Sequence, residues 1–315
     1  MENQFNYFYN PIRLKILQLT GVVLRLLGFI FVGAFLSQLL LSVFTGTNLT
    51  DSERMIFEME GETGTRFFLL QMQALNAIFV YFVLPILYVF FFQKNLKPIF
   101  VIRKKRLGSF ILISLFIFLT ALPFISQLIE FNQQIQLPEK LSALQEVILR
   151  MEERAQKVTD LIVLYDFWYE IIPILFVIAV LAGVGEELLF RGVIQNEIYG
   201  IFKNPHVAIW ISAVLFSFIH FQFQGFLPRV VLGGLLGYLY YWSGSLLVPI
   251  FIHFVNNVLT FALINYVVRQ DETILNTSTS LGITVISIII CIVLIIACYR
   301  LSLKVKMMSY EKIDY

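Results

Sequence analysis

The sequence predicts an all-α protein, a polytopic membrane helix bundle with about eight transmembrane helices and both termini in the cytoplasm. Hydrophobic residues make up 58% of the chain and charged residues 14%, whereas soluble domains carry about 25% charged residues. The mean hydropathy is +0.81. These values exclude a soluble fold, a disordered chain and a secreted disulfide scaffold. The net charge of +2 is too small to indicate nucleic-acid binding, and two cysteines provide no disulfide framework.

Eight apolar runs are candidates for membrane spans, each needing about 20 residues. The stretch around residues 230–268 is too long for one span, and Ser243, Gly244, Ser245 and Pro249 divide it into two. The length of the first run predicts a retained signal anchor rather than a cleaved signal peptide. The predicted spans are 19–44, 67–92, 107–129, 168–199, 206–223, 229–242, 246–267 and 280–299.

Loop charges predict the orientation of these spans. The 94–106 loop carries six Lys and Arg residues without an acid, which is typical of a cytoplasmic loop. The 45–66 loop is acidic and is expected outside, and the basic C-terminal tail is expected inside. Eight spans with both termini inside satisfy all three expectations.

The 139–158 segment is the one sizeable piece expected outside the membrane. Its apolar residues recur at helical spacing among mixed charges, which predicts an amphipathic helix on the outer surface. We therefore divide the chain into three parts. Residues 1–167 hold three spans and this surface helix, 168–267 form a core of four spans, and 268–315 add the last span and a basic tail.

Ionisable residues within the core spans indicate function, because a charge inside a bilayer is costly. The fourth span carries Glu186, Glu187 and Arg191, and two histidines, His220 and His253, lie within later apolar runs. At about 1.5 Å per helical residue, Glu186, His220 and Asn257 lie at a similar depth, ~18–21 Å from the inner helix ends, and His253 lies one turn shallower. Polar groups from three helices at one level predict a shared site.

Spacing within each helix suggests individual roles. Glu187 and Arg191 are four residues apart and should pair as structural supports. Glu186 is rotated by about 100° towards a different neighbour, where Glu186 and His220 would hold and deprotonate a water. His253 and Asn257, also four apart, would offer two donors to an oxyanion. Taken singly, each of these residues also fits a packing role.

The pattern Glu186-Glu187-x-x-x-Arg191, Phe216-x-x-x-His220 and His253-x-x-x-Asn257 resembles the three motifs of the CAAX-processing and bacteriocin-processing (Abi) intramembrane proteases. These proteases are related to the type II CAAX prenyl endopeptidases. The resemblance covers about 168–267. It implies that Glu186 activates water with the aid of His220, and that His253 and Asn257 stabilise the oxyanion. It also implies that Glu187 and Arg191 support the glutamate helix and that Phe216 packs beside the site.

The resemblance implies a metal-free glutamate mechanism, so no cofactor is expected. A zinc metalloprotease with Glu186, His220 and His253 as ligands is the alternative, since two histidines and one carboxylate form a zinc site. A non-catalytic scaffold or immunity protein of the same fold is the alternative outside enzymology. The expected partners are membrane lipid and a peptide or membrane-protein substrate, with no nucleic acid, and the expected location is the plasma membrane.

Overall fold

The computed structural model describes residues 11–46, 63–93, 106–270 and 280–310, and these residues form helices and turns without a strand. The predicted all-α membrane bundle is confirmed. We number the helices in chain order: α1 Pro11–Thr45, α2 63–93, α3 Leu107–Gln133, α4 Ser142–Val163, α5 Trp168–Phe202, α6 Pro205–Phe218, α7 Phe226–Ser243, α8 Leu247–Gln270 and α9 Leu281–Tyr310.

Six of the described helices are long and apolar enough to cross a membrane: α1, α2, α3, α5, α8 and α9. The chain is a multi-pass integral membrane protein. The two remaining predicted spans correspond to α6, which has only 14 residues, and α7, which begins close to the charged Arg229. The count of eight spans and the cytoplasmic termini stay predictions. The acidic loop and almost all of the basic loop lie outside the described residues.

Local sequence explains where the core helices begin and end. Asn204 caps α6, because its side-chain oxygen accepts from the backbone N–H groups of His206 and Val207. Lys203 ends α5 and Gly244 ends α7, each with a left-handed backbone. The turn at Gly244 divides the long apolar stretch at the predicted place.

The fifth predicted span is longer than the helix that forms. The run 206–223 was expected to be one span, but α6 ends at Phe218 and the chain reverses at Phe221, whose φ is +51°. His220 therefore lies in the turn after α6 rather than within a helix. The run is apolar throughout this reversal, so hydropathy alone does not show where the helix stops.

The predicted surface helix is present as α4, which begins three residues later than expected and extends to Val163. A short 3₁₀ turn, Glu139–Leu141, precedes it. Leu144 and Val147 on its apolar side are exposed, which suits a helix at the edge of a bilayer. The outer or inner position of α4 stays a prediction, as does the division of the chain into three parts.

Packing around α5 and α7 gives the core its rigidity. Helix α7 packs closely on α6, and α3 packs on α9 and α7. A Cβ added at Gly233 would lie 3.2 Å from the Cβ of Ala213, and one at Gly234 would lie 3.0 Å from Trp210. These two glycines allow the close approach of helices that small residues permit in membranes.

Cys298 is buried in the cluster around α3 and α9, with Cys291 packed beside it, so both cysteines serve packing.

Candidate functional site

Helix α5 places Glu186 and Glu187 on a short α-helical segment, Ala182–Glu187, between two π-helical stretches. The stretches are Phe176–Leu181 and Leu188–Ile194. π-Helical turns inside α-helices are rare and occur frequently at functional sites. Both glutamates are buried, and they point to different neighbours, as their rotation along the helix predicts.

Glu186 faces both predicted site histidines. Its Oε2 lies 3.7 Å from Nε2 of His253 and 4.0 Å from Nε2 of His220. The three side chains come from α5, the turn after α6, and α8. The structure therefore brings together three residues that are far apart in sequence, around one carboxylate oxygen.

Glu187 supports this cluster from behind. Its Oε1 accepts from Nη1 of Arg191 at 2.7 Å and lies 2.9 Å from Nδ1 of His253. Arg191 also donates through Nη2 to the carbonyl of Gly233 at 2.8 Å. Arg191 and Glu187 are almost completely buried. Sequence spacing indicates the pair Glu187–Arg191 within one helix, but it does not indicate the contact with His253 on α8.

The hydrogen-bond partner of Nδ1 in each histidine indicates which nitrogen of the ring carries the proton in its neutral form. Nδ1 of His220 lies 2.7 Å from the carbonyl oxygen of Phe216, which only accepts. Nδ1 of His253 faces the Glu187 carboxylate, which also accepts. When the rings are neutral, each Nδ1 therefore carries the proton and each Nε2 faces Glu186 as an acceptor. In that form the cluster can accept from a donor such as a water molecule.

Phe216 forms the apolar wall of the cluster. Its ring makes edge contacts with the rings of His220 and His253, at centroid distances of 5.0 and 6.0 Å. The guanidinium carbon of Arg191 lies 5.1 Å from its centroid, within the range of a cation–π contact. Phe216 therefore packs beside both histidines, in the place that the motif resemblance implies.

Asn257 lies one turn after His253 on α8 and is half-buried. Its amide nitrogen donates to the carbonyl of Ile178 at 2.8 Å, and its oxygen accepts from Asn256 at 3.1 Å. An amide nitrogen has two hydrogens, so the bond to Ile178 occupies one of them. The structure shows no bond from Asn257 to the Glu186 cluster, and its part in a reaction stays a prediction.

The residues Glu186, His220 and His253 fit zinc in kind but not in position. Zinc lies about 2.0–2.2 Å from nitrogen and oxygen ligands, so tetrahedral ligands stand ~3.3 Å apart. The donor distances of 3.7 and 4.0 Å exceed this separation. Across the described part of the chain, no group of three or more His, Cys, Asp or Glu residues is arranged to hold a metal ion. We therefore derive no step through a metal.

Two glycines bring neighbouring helices close to the glutamate helix. A Cβ at Gly183 would lie 3.3 Å from the backbone nitrogen of Phe254 on α8, beside His253. A Cβ at Gly185 would lie 2.6 Å from the Cβ of Tyr81 on α2. Both precede Glu186 within α5, and both set the spacing of the helices around it.

Residues 168–259 match the family model described as type II CAAX prenyl endopeptidase Rce1-like. The core is Rce1-like in sequence. The predicted resemblance is confirmed, and the Rce1-like segment, residues 168–259, contains the whole cluster just described. The matched family is a family of proteases.

A relative from Bacillus subtilis, described as uncharacterized protein YpbD, is 30% identical over 106 residues. The match covers 32% of this chain and spans about half (51%) of the length of YpbD. It is consistent with the CAAX-processing and bacteriocin-processing family. No solved structure matches the chain.

Proposed function

We propose that this protein is an intramembrane endopeptidase that hydrolyses a peptide bond with water activated by Glu186. The observation that carries the proposal is the convergence of His220 and His253 on one oxygen of Glu186 within the Rce1-like segment. Buried ionisable groups in a membrane protein are expensive and are usually functional. A helix-packing role would not require a carboxylate and two histidines from separate elements to face one another.

The proposed reaction begins with a water molecule held between Glu186 and His220. Glu186 takes a proton from this water while the oxygen attacks the scissile carbonyl carbon, which forms the new C–O bond. The carbonyl oxygen becomes an oxyanion. When the C–N bond breaks, Glu186 returns the proton to the leaving nitrogen. The products are a carboxylic acid and an amine, and the glutamate ends in its starting state.

His253 and Asn257 are the proposed donors to the oxyanion. With both carboxylates ionised and His253 neutral, the buried cluster of Glu186, Glu187 and Arg191 has a net charge of −1, and His253 neutralises it by taking up a proton from solvent before the reaction begins. The protonated ring keeps its bond to Glu187 and gains an N–H at Nε2. This N–H and the second amide hydrogen of Asn257 would then stabilise the negative charge of the intermediate.

The substrate enters, in this proposal, a polar cavity between the four predicted spans of the core, α5 to α8. It is a peptide or a segment of a membrane protein, and membrane lipid is the other partner. The proposed location is the plasma membrane. We propose no nucleic-acid partner and no cofactor.

The test is cleavage of a peptide library by detergent-purified protein, comparing the wild type with Glu186→Ala, each with and without a strong zinc chelator. We expect cleavage by the wild type that is unaffected by the chelator, and none by Glu186→Ala. Glu146→Gln is the control, because Glu146 is an exposed carboxylate on α4 that pairs with the exposed Arg150. Cleavage by Glu186→Ala at the wild-type rate would overturn the proposal.

The same experiment separates the other two functions. Cleavage that is lost on chelation and restored by zinc would assign Glu186, His220 and His253 as metal ligands. A folded wild type that binds peptides without cleaving them would indicate a non-catalytic scaffold.

A further inference from the structure

We propose that Asn132, on α3 and outside the Rce1-like segment, is a positioning residue that holds His220 against Glu186. It acts by fixing the α6–α7 loop, residues 219–225. The inference rests on the proposed function, since it concerns the geometry of the same site. Asn132 lies near the end of an apolar helix, and its side chain is buried. A buried amide at this place needs hydrogen-bond partners, and the loop provides them.

The α6–α7 loop carries His220 and has an unusual backbone. It reverses direction at Phe221, where φ is +51°. Positive φ is uncommon for a bulky residue and persists where surrounding contacts hold the chain. The ring of His220 forms a hydrogen bond with the Phe216 carbonyl in α6. The position of the backbone after His220 depends instead on the contacts that the loop makes.

Asn132 binds both sides of the junction between this loop and α7. Its Nδ2 donates to the carbonyl of Phe223 at 2.6 Å, and its Oδ1 accepts from the backbone N–H of Leu227 at 3.0 Å. The first N–H groups of a helix lack partners within the helix. Gly225, at the N-cap of α7, has no side chain to provide one. Asn132 therefore caps α7 from a neighbouring helix.

Two other side chains bind the loop, but from less protected positions. Glu152 on α4 accepts from the backbone N–H of Gln224 at 2.9 Å, and Arg229 donates to the carbonyl and side chain of Gln222. The contact of Glu152 is exposed to solvent and that of Arg229 is half-buried. The two Asn132 bonds are also half-buried, but Asn132 is the one of these three side chains that belongs to a buried residue, where a lost hydrogen bond is less readily replaced by water.

The loss of these two bonds would free the chain that follows His220. Contacts from α3 would then no longer maintain the distance of 4.0 Å between Nε2 of His220 and Oε2 of Glu186. A misplacement of about 1 Å in an active site can reduce the rate by ~100-fold. Asn132 would thus affect turnover without touching substrate.

The experiment compares Asn132→Leu and Asn132→Asp with the matched control Asn265→Leu in the full-length protein. Asn265 is also a buried amide that donates to the backbone of another helix, at Val163 of α4, but it does not contact the α6–α7 loop. Asn132→Asp keeps the acceptor for Leu227 but places an oxygen and a negative charge against the Phe223 carbonyl, so it provides a second variant of nearly the same shape if Asn132→Leu fails to fold. Peptide hydrolysis, thermal unfolding and ¹⁵N-histidine NMR are measured for each variant.

We expect Asn132→Leu and Asn132→Asp each to lower kcat by about 10- to 100-fold while KM changes by less than about twofold. Asn265→Leu should lose thermal stability and keep its kcat. The chain has three histidines, so the His220 signals are assigned as those lost from the spectrum of one His220→Ala sample compared with the wild type. The ¹⁵N signals of His220 should shift in Asn132→Leu and stay unchanged in Asn265→Leu.

Normal kcat with unchanged His220 signals in Asn132→Leu would overturn the inference, as would an equal kcat loss in Asn265→Leu. The NMR measurement needs no activity. If the wild type cleaves no peptide, the proposed function fails, and the His220 signals still decide whether Asn132 positions the ring.

Discussion

Glu187 accepts hydrogen bonds from two buried cationic or polar partners through one carboxylate oxygen, Arg191 within α5 and His253 on α8. At the scale of single residues, this sharing links the salt bridge of α5 to the ring that faces Glu186. The salt bridge is therefore more than a local support of one helix. When His253 is neutral, Glu187 keeps its proton on Nδ1, and Nε2 is then the acceptor that faces Glu186.

Glu187→Gln should strongly destabilise the protein, because it leaves Arg191 buried without a carboxylate. Breaking a buried ion pair from one side costs about 3–5 kcal/mol. The measurement is the midpoint of thermal unfolding in detergent. Removing both charges, in Glu187→Leu with Arg191→Leu, should restore part of the loss, since the unpaired charge is then absent. A double variant no more stable than Glu187→Gln would contradict this account.

Asn257→Ala should lower the rate of peptide hydrolysis by about 10²–10³-fold, the loss seen when an oxyanion donor is removed. Asn265→Ala is the control, because Asn265 is another amide on α8 and donates to Val163 and Phe261 rather than to Asn257. The rates of both purified variants decide the point. A rate near the wild-type value in Asn257→Ala would show that this side chain supports the backbone at Ile178 and takes no part in the reaction.

At the scale of helices, the position of α5 depends on close contacts at glycines, where there is no room for a larger side chain. A Cβ at Gly185 would lie within 2.6 Å of Tyr81 and 2.8 Å of Phe82, both on α2. Real Cβ contacts are not that short, so α2 and α5 would have to separate. Because Glu186 follows directly in sequence, any such shift moves the carboxylate.

Gly185→Ala should therefore lose about 1–3 kcal/mol of stability through overpacking and should lose hydrolytic activity as well. Gly200→Ala is the matched control, because a Cβ at Gly200, in the same helix, meets nothing within 4 Å. Alanine is the better helix former, so Gly200→Ala should be neutral or slightly stabilising. Equal unfolding midpoints for the two variants would show that α2 yields easily at Gly185.

The sequence predicts a helix boundary in this protein only where the residue type indicates the backbone conformation at that position. Gly244 ends α7 at the predicted break, since glycine adopts positive φ without cost. Phe221 reverses the chain with the same sign of φ, but phenylalanine gives no such signal. His220 was consequently predicted inside a span. The π-helical stretches of α5 are likewise hidden within a long apolar run.

At the scale of the whole molecule, the family match leaves most of the chain uncovered. The Rce1-like segment includes α5, α6, α7 and the first part of α8, whereas α3 and α4 bind its loop from outside. The motifs predict the members of the Glu186 cluster from residue types and spacing alone. Contacts such as Asn132 with Leu227 depend on packing between distant helices, and no local pattern encodes them.

The orientation of the molecule determines from which side a substrate reaches the cluster. The loop charges predict that 94–106 is cytoplasmic and 45–66 external. Cysteines placed singly at Lys104 and Glu58, with Cys291→Ser and Cys298→Ser in the background, test this with a membrane-impermeant maleimide on intact cells. Glu58→Cys should be labelled from outside, and Lys104→Cys only after the cells are opened. The reverse result would place the basic loop and both termini outside, and α4, which binds the His220 loop, on the cytoplasmic side.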